Sequence, residues 1–412
     1  MKASNKLQGV LLSLLLPAGF MSLAVLADGR AGSAAAGPSL TVYPDNLALV
    51  RRELDRALAP GSHTVRIEGL PANLDRSSLI VLNRGVTLIG AHGFRTYQDA
   101  ASGPGASVDV ELEVERPVET LRIAFLTSGL SWSADYAMVV ARNDATARLD
   151  GYANVMNNSG TAYEAAEFQL LAGQIQRGAS PRYRANAALM SAARELDQMQ
   201  GALALQGAAF GDYHLYTVSA PLSLRTGEAR RIRLVGAASA ETEKLYTFSH
   251  SINYHQQYPE PMTQPVVVSY RVLRPEDSEL GGVPLPAGQV RVYQEDDSGR
   301  LQLLGISPIA NTPKGKDLLI TIGYAFDIVG TRTQVDYSRP GGNVYESEWK
   351  VELRNASDED ATVQVVERLS GDWTIVESSH TPEKLSAGAV RFQLDVPAGG
   401  VATLEYKVSV RP

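Results

Sequence analysis

The sequence predicts an all-β protein built from two to three β-sandwich-like domains with a mobile, partly helical insert. Apolar and acidic residues alternate strictly over residues 108–115, which is typical of a strand with one buried face. From residue 346 onwards, short apolar runs are separated by Asn, Asp, Gly and Pro turn signals, the pattern of a small β-sandwich. A chain of 412 residues is too long for one ordinary core, so more than one domain is expected.

The amino-acid composition argues against some classes of binding partner and excludes some kinds of site. Hydrophobic residues make up 44% of the chain and charged residues 20%, as in ordinary globular proteins. The formal net charge is −7 and there are no long basic runs, which argues against nucleic acid as the main partner because phosphate binding needs clustered Lys and Arg. The chain contains no cysteine, which excludes disulfides, thiolate metal sites and a catalytic thiol.

Residues 1–27 have the pattern of a secretory signal peptide. A basic segment with Lys2 and Lys6 precedes the apolar residues 10–16, and small residues precede a cleavage point before Asp28. A retained N-terminal anchor is the alternative. No later stretch contains the ~20 apolar residues that a membrane helix needs. We therefore expect an exported protein, periplasmic or on the cell surface, with no transmembrane span after signal cleavage.

Three β domains are expected after a flexible leader at residues 28–39, which is rich in Gly, Ala and Ser. The N-terminal domain is assigned to residues 40–118, the central domain to 119–340 and the C-terminal β-sandwich to 343–412. The insert at residues 178–208 belongs to the central domain. It is rich in Ala, Arg, Met and Gln, and we predict a mobile segment with a short helix there.

Two short segments are informative about local structure. Residues 51–59 fit either a helical apolar stripe or a strand. Residues 318–322 form a nearly continuous apolar run, which predicts a strand buried on both faces.

The central segment carries the motif around which the chain is organised. Trp132 and Tyr136 are four positions apart, so on a strand they share one face. Asn157 to Gly160 is a strong turn signal, because Asn and Ser bond to the local backbone and Gly accepts a positive φ. We interpret Trp132, Tyr136, Asn157 and Gly160 chiefly as architecture.

The sequence predicts no metal site and no cofactor. His250 and His255 are the only close histidines, and five positions apart on a strand they face opposite ways. Residues 295–299 resemble a calcium loop only superficially, and a hairpin turn with Gly at the positive-φ position explains them without a metal. An acidic ladder would need further oxygen ligands to hold calcium, and a solvated strand face is the simpler interpretation. The ladder consists of Asp109, Glu111, Glu113 and Glu115.

Catalytic residues are not identified by any motif in the sequence. Walker, dinucleotide-binding and α/β-hydrolase signatures are all missing. A hydrolase built on paired carboxylates remains an alternative, because such pairs come from separate strands and leave no spacing signature. The candidate carboxylates are Asp135, Glu164, Glu167 and Asp327.

Candidate binding residues come from two features. Tyrosine is abundant, with 17 Tyr against 8 Phe, and Tyr246, Tyr254 and Tyr258 lie in a Pro- and Gln-rich region. Tyr suits sugar stacking or protein anchoring, and it is also an ordinary strand residue. Arg231 and Arg233 lie on one face of a predicted strand, where they would meet an anionic polymer.

Several spaced motifs together resemble the exported bacterial family called domain of unknown function 4139, which is related to the mucoidy-inhibitor-like proteins. In chain order the motifs are TSGLSWSADY at 127–136, GYANVMNNSG at 151–160, LLAG at 170–173, FGDYHLYTV at 210–218, PLPAG at 284–288 and GYAFD at 323–327. The resemblance covers the chain from about residue 40 to the C-terminus. It implies sandwich-like β domains, favours a strand for residues 51–58 and implies no reaction. Longer members carry additional material before the Trp motif, whereas the step from Phe94 to Val108 is short here.

These observations favour a non-enzymatic, exported binding or scaffolding module of the bacterial envelope. A protein partner is the first expectation, with contacts from the Tyr-rich loops or the insert. A polysaccharide-binding or polysaccharide-cleaving protein is the alternative.

Overall fold

β-Strands make up almost all of the regular structure, which confirms the predicted all-β class. The structure is a computed structural model that describes residues 37–99, 103–173, 208–249 and 253–411. Residues 37–412 cluster as one compact unit. The predicted signal peptide lies outside the described residues, as do most of the leader and all but the last residue of the predicted insert. No helix in the described ranges has the length and apolar character required to cross a membrane.

The strands of the first half, up to the gap after residue 173, follow one another closely along the chain. In chain order they are β1 (Ser39–Tyr43), β2 (Leu47–Leu54), β3 (Gly61–Pro71), β4 (Ile80–Val81), β5 (Val86–Asp99), β6 (Gly103–Val114), β7 (Leu121–Thr127), β8 (Leu130–Val140), β9 (Thr146–Asn157) and β10 (Tyr163–Ala172), with a 3-10 turn at Arg76–Ser78 between β3 and β4.

The second half includes the two longest of the described strands. In chain order its strands are β11 (Ala208–Phe210), β12 (Tyr213–Thr217), β13 (Leu222–Leu224), β14 (Glu228–Phe248), β15 (Met262–Val272), β16 (Gly288–Glu295), β17 (Leu301–Ile309), β18 (Leu318–Gly341), β19 (Val344–Asn355), β20 (Ala361–Arg368), β21 (Asp372–Ser378), β22 (Glu383–Ser386), β23 (Ala389–Val396) and β24 (Val401–Arg411).

Within the described residues these strands form three sheets. The largest has the order β17-β16-β8-β9-β14-β15-β18-β19-β24-β21, and β20, β22 and β23 join it through β14 and one another. A second sheet has the order β11-β12-β10-β1-β2-β7-β4, with β13 paired to β10. The third contains β3, β6 and β5, with β6 in the middle.

The three-stranded sheet explains the acidic ladder. Alternate residues of β6 from Val108 to Val114 are buried, so the carboxylates between them point outward. The outward carboxylates meet side chains of the flanking strands: Arg66 lies 3.7 Å from Asp109, His92 3.3 Å from Glu111 and Ser62 2.5 Å from Glu113.

Apolar side chains collect in three clusters among the described residues. The main cluster joins residues of the predicted N-terminal and central domains, from Leu40 to Ile320. The C-terminal cluster runs from Phe248 to Val410. It therefore takes side chains from β14, β15 and β18 as well as from residues 343–412.

The long strands explain one wrong prediction and settle one open choice. Residues 318–322 were expected to be buried on both faces, but β18 alternates there: Ile320 is fully buried and Leu319 is 61% exposed. Leu319 faces out because it pairs with the exposed Arg271 on β15, where the sheet has one solvated side. The segment after Val50 is a strand up to Leu54, not a helix.

An asparagine at the end of β9 builds a tight corner, the Asn157 corner. Its Nδ2 donates to the carbonyls of Thr161 and Leu224 at 2.8 and 3.1 Å. Its Oδ1 accepts from the backbone N and the hydroxyl of Ser159 at 3.0 and 2.7 Å. All four bonds satisfy polar groups at a place where the chain leaves one sheet for another.

The end of β19 repeats this arrangement as the Asn355 corner. Asn355 Nδ2 donates to the carbonyls of Glu359 and Val396 at 2.7 and 3.3 Å. Its Oδ1 accepts from the backbone N and hydroxyl of Ser357 at 3.0 and 2.7 Å.

The strand pairing around the two corners is repeated as well. In the first repeat unit, β9 pairs with β14 and β10 pairs with β13, all antiparallel. In the second repeat unit, β19 pairs with β24 and β20 pairs with β23, again antiparallel. The chain therefore contains two versions of one four-strand arrangement, each closed by an Asn-x-Ser corner.

A buried ion pair joins Arg332 of β18 to Glu367 of β20 in the second repeat unit, at the centre of a group that we call the Arg332 network. Arg332 Nη1 donates to Glu367 Oε2 at 2.5 Å, and the two side chains are 0% and 1% exposed. Arg332 Nη2 donates to the hydroxyls of Tyr254, at 2.9 Å, and Tyr406. Its guanidinium also stacks 4.3 Å from the Trp349 ring. Burial is the largest cause that raises the pKa of the Tyr254 and Tyr406 hydroxyls, which keeps both protonated as donors.

Candidate functional site

The outer side of the largest sheet carries a group of arginines that we call the arginine face. It lies on the adjacent strands β16, β8, β9 and β14. Strand register places its members together: Arg233 is opposite Tyr152, and Tyr152 is opposite Asp135. Side chains on the other side of these strands, such as Tyr136, enter the main core. The members are Arg148, Arg231, Arg233 and Arg291, held by Asp135 and Asp150.

Asp135 is the anchor at the centre of the face. The residue is 8% exposed, and its carboxylate accepts from Asn154 Nδ2 at 2.6 Å and from Arg231 Nη2 at 2.8 Å. Arg291 Nη1 approaches the same carboxylate to 3.7 Å from β16. The charge of Asp135 is therefore used by groups from three neighbouring strands.

A second anchor lies beside the first. Asp150 is 7% exposed and binds Arg233 Nη2 at 3.0 Å and Arg148 Nε at 3.3 Å. The guanidinium of Arg231 also lies 4.0 Å from the centre of the Tyr152 ring, a cation–π contact. Both contacts hold arginine side chains that would otherwise be flexible.

The charge balance leaves the face positive. The members are four arginines and two aspartates, so they carry two more positive charges than negative ones. The side chains of Arg148, Arg231 and Arg233 remain 62, 52 and 58% exposed, so much of each guanidinium faces solvent. Oriented, exposed guanidinium groups suit bidentate binding of carboxylate, phosphate or sulfate.

Sequence reasoning identified half of these arginines. Arg231 and Arg233 were selected from alternation along one strand, and the structure places both on the face. Arg148, Arg291 and the supporting Tyr152 were missed because they belong to other strands. Their only signal was a polar residue at alternate positions of a strand, which shows the outward side but not the register.

The predicted tyrosines lie elsewhere, near the Arg332 network. Tyr254 is 3% exposed and donates to Glu367 at 2.8 Å. Tyr258 is half-buried, with its ring 5.9 Å from that of Trp349. Tyr246 is also half-buried, with Lys244 Nζ 5.6 Å from its ring centre. The structure thus groups these tyrosines with the C-terminal core and not with Arg231 and Arg233.

The motif residues Trp132 and Tyr136 are inside the main core, on one face of β8. Trp132 is 4% exposed, and its Nε1 donates to the Leu171 carbonyl at 3.1 Å. Tyr136 is fully buried and donates to the Pro286 carbonyl at 2.7 Å. A Cβ on Gly288 would lie 2.3 Å from the Ala134 carbonyl, which explains why glycine follows the Pro-rich turn.

Asn157 and Gly160 meet in the Asn157 corner. Asn157 is fully buried, and Gly160 has a φ of +86°, a conformation that favours glycine. Sequence reasoning placed a turn here and did not connect it with the similar turn at Asn355.

The candidate carboxylates do not gather into one site. Asp135 lies on β8, Glu164 and Glu167 on β10 and Asp327 on β18. Asp135 is already bonded to Asn154 and Arg231.

Metal-ligand clusters are not found in the part of the chain that the structure describes. His250 lies outside the described residues. The loop at residues 295–299 is a hairpin turn in which Asp296 accepts hydrogen bonds from within its own hairpin. Its bond from the Ser298 hydroxyl is the first of several that hold the pKa of Asp296 below its usual range.

Comparison with known proteins agrees with the motifs. A search of curated proteins found no match. Residues 40–148 match the family described as N-terminal domain of unknown function (DUF4140). Residues 121–411 match Domain of unknown function (DUF4139), which confirms the resemblance carried by the spaced motifs. Because this match covers more than half of its length, the chain belongs to the domain of unknown function 4139 family.

Proposed function

We propose that this protein is a non-enzymatic, exported binding or scaffolding module of the bacterial envelope, and that the arginine face is its contact surface. The N-terminal signal-peptide pattern supports the location. One observation carries the binding role: four arginines converge on two aspartates on an exposed sheet face and leave an excess of positive charge.

The chemistry of the face favours a ligand with repeated negative groups. The anchoring aspartates fix the guanidinium groups before a ligand arrives, so less side-chain entropy is lost on binding. A face that spans four adjacent strands suits an extended ligand that crosses several of them. Envelope polymers with carboxylate, phosphate or sulfate groups have this chemistry.

A function in polysaccharide binding is the second candidate. Polysaccharide cleavage is the variant of this function that needs more from the site. The observation that favours a sugar is Tyr152, whose ring lies beneath Arg231 and offers a stacking surface. A cleaving activity would need two free carboxylates, whereas Asp135 is held by three neighbours.

Binding of the full chain to immobilised polygalacturonate, with neutral dextran as comparison, tests the proposal. We expect binding to polygalacturonate that weakens strongly at about 0.5 M salt, because the contacts are screened. The double variant R231Q/R233Q should bind at least about tenfold more weakly, since two charge-assisted contacts are lost.

Arg271→Glu is the matched control. Arg271 is a 40% exposed strand arginine paired with Glu243 at 2.9 Å, outside the arginine face. If this variant and R231Q/R233Q lost binding equally, the loss would be caused by the change in net charge. The arginine face would then be rejected as the site. Release of small sugars during incubation would contradict the non-enzymatic part of the proposal.

A further inference from the structure

An exposed row of aliphatic side chains, the aliphatic stripe, lies on β17 at the end of the largest sheet. Leu301 and Leu303 are each 53% exposed and Ile306 is 54% exposed. Isolated exposed leucines are ordinary on protein surfaces, but three on one strand form a patch that calls for an explanation.

The aliphatic stripe is on the same side of the sheet as the arginine face. Ile306 pairs directly with Arg291, and Leu303 pairs with Tyr293 two residues further along β16. Ser307 and Ile309, which alternate with the exposed positions, are buried. Glu295 is opposite Leu301 and marks the acidic end of the stripe.

Apolar and cationic groups therefore form one continuous surface. It runs from β17 through β16, β8 and β9 to β14. Five strands with about 4.8 Å between neighbours give a width of roughly 19 Å. One edge of this surface is aliphatic, and the arginine face beside it carries an excess of positive charge.

We propose that this surface docks onto an anionic phospholipid membrane. The aliphatic stripe enters the boundary between headgroups and acyl chains, and the arginines bind lipid phosphates. The inference rests on the proposed function, because it assigns the negative groups bound by the arginine face to lipid headgroups.

The type of exposed side chain favours lipid over the other occupants. Sugars are usually held by aromatic stacking, and protein hot spots are rich in Trp and Tyr while Leu is under-represented. Leu and Ile next to Arg match the two requirements of a peripheral membrane surface, which are apolar burial and attraction to anionic headgroups.

Co-sedimentation with phospholipid vesicles tests this inference on the full chain. One set of vesicles contains equal parts of phosphatidylglycerol and phosphatidylcholine, and the other contains phosphatidylcholine alone. We expect binding to the first set only. The variant Leu303→Ser/Ile306→Ser should lose roughly tenfold or more of that binding, because exposed apolar area is removed.

The pair Val376→Ser/Leu385→Ser is the matched control, since these residues are 55% and 46% exposed on strands outside the surface. Vesicle binding that depends on Arg231 and Arg233 but is unchanged by Leu303→Ser/Ile306→Ser would overturn the inference. Binding to polygalacturonate without binding to either set of vesicles would leave the proposed function standing and reject the membrane. Failure with both the polymer and the vesicles would reject both proposals.

Discussion

Each repeat unit is joined to an adjacent strand by an arginine–carboxylate bond, and the two bonds differ in exposure. Arg231 of β14, in the first unit, reaches Asp135 of β8 at 2.8 Å on an open sheet face and stays 52% exposed. Glu367 of β20, in the second unit, accepts from Arg332 of β18 at 2.5 Å with both side chains enclosed. Exposure is the difference between them: water screens the first bond, whereas the second is shielded from water and has only protein groups around it. Similar bonds therefore leave one arginine open to solvent and enclose the other.

Removing one member of the enclosed pair should give the largest effect. Arg332→Met leaves Glu367 charged, buried and without its main partner, so we expect a loss of about 3–5 kcal/mol in the free energy of unfolding. Chemical denaturation measures this directly. The double variant Arg332→Met/Glu367→Leu should recover most of the loss, because no charge remains buried. A single variant as stable as the parent protein would remove the distinction between the two units.

The core beneath the first unit should be equally sensitive to a cavity. Trp132→Ala is expected to cost about 3–5 kcal/mol, because the side chain is almost fully buried. Trp373 of β21 is only half-buried, so Trp373→Ala should cost clearly less. An unchanged thermal midpoint for Trp132→Ala would mean that the side chain is not part of the core.

Substitutions at the two corners test whether the repeated hydrogen bonds also contribute equally to the free energy of unfolding. Asn157→Ala and Asn355→Ala each leave buried carbonyl and N–H groups without partners, and we expect losses of about 2 kcal/mol in each. The two values should agree, since the hydrogen bonds correspond one to one. A large loss at one corner and none at the other, measured by denaturation, would contradict the equivalence.

Alkaline pH should lower the free energy of unfolding by a smaller amount through Tyr163 of the first unit. Burial raises the pKa of Tyr163 in the first unit to about 12, while the corresponding strand position of the second unit is Ala361. The unfolded chain loses this proton near pH 10, so above that pH the unfolded state binds fewer protons and stability falls as pH rises toward 12. At pH 11 this amounts to about 1.4 kcal/mol. Tyr163→Phe should reduce the slope of stability against pH, and an unchanged slope would mean that this hydroxyl is not the cause.

Neutralising the arginine face should change stability least. For Arg231→Gln with Arg233→Gln we expect a loss of less than about 1 kcal/mol in unfolding free energy. The arginines are half exposed, and both aspartates keep other partners: Asn154 and Arg291 for Asp135, Arg148 for Asp150. Binding of polygalacturonate by the same variant should nevertheless fall strongly. A loss of stability as large as that of Arg332→Met would show that the face serves the fold and not a ligand.

Local patterns predicted much of the fold because they act within a few residues. Alternation placed Val108 and Val110 inside, the four-residue spacing placed Trp132 and Tyr136 on one face, and Gly299 made the expected turn with a φ of +77°. Each result follows from the two-residue period of a strand or from glycine's access to positive φ.

Local patterns could not predict which residues of different strands lie side by side. Arg291 approaches Asp135 only because β16 lies beside β8, and no feature near residue 291 indicates that neighbour. Arg332 and Glu367 give no sign of their pairing in the sequence, and charged residues are ordinarily expected on the surface. The site therefore depended on register, which the sequence does not display.

The two corners have a practical consequence for producing the protein. Asn157-Asn158-Ser159 and Asn355-Ala356-Ser357 are the only Asn-x-Ser/Thr glycosylation acceptor sequences in the chain. Both asparagines are buried and use their amide nitrogens to close a corner. A eukaryotic secretory host that attached a glycan to either nascent asparagine would put a bulky sugar where the folded chain has no room. Expression in a host without N-glycosylation avoids this block at both corners.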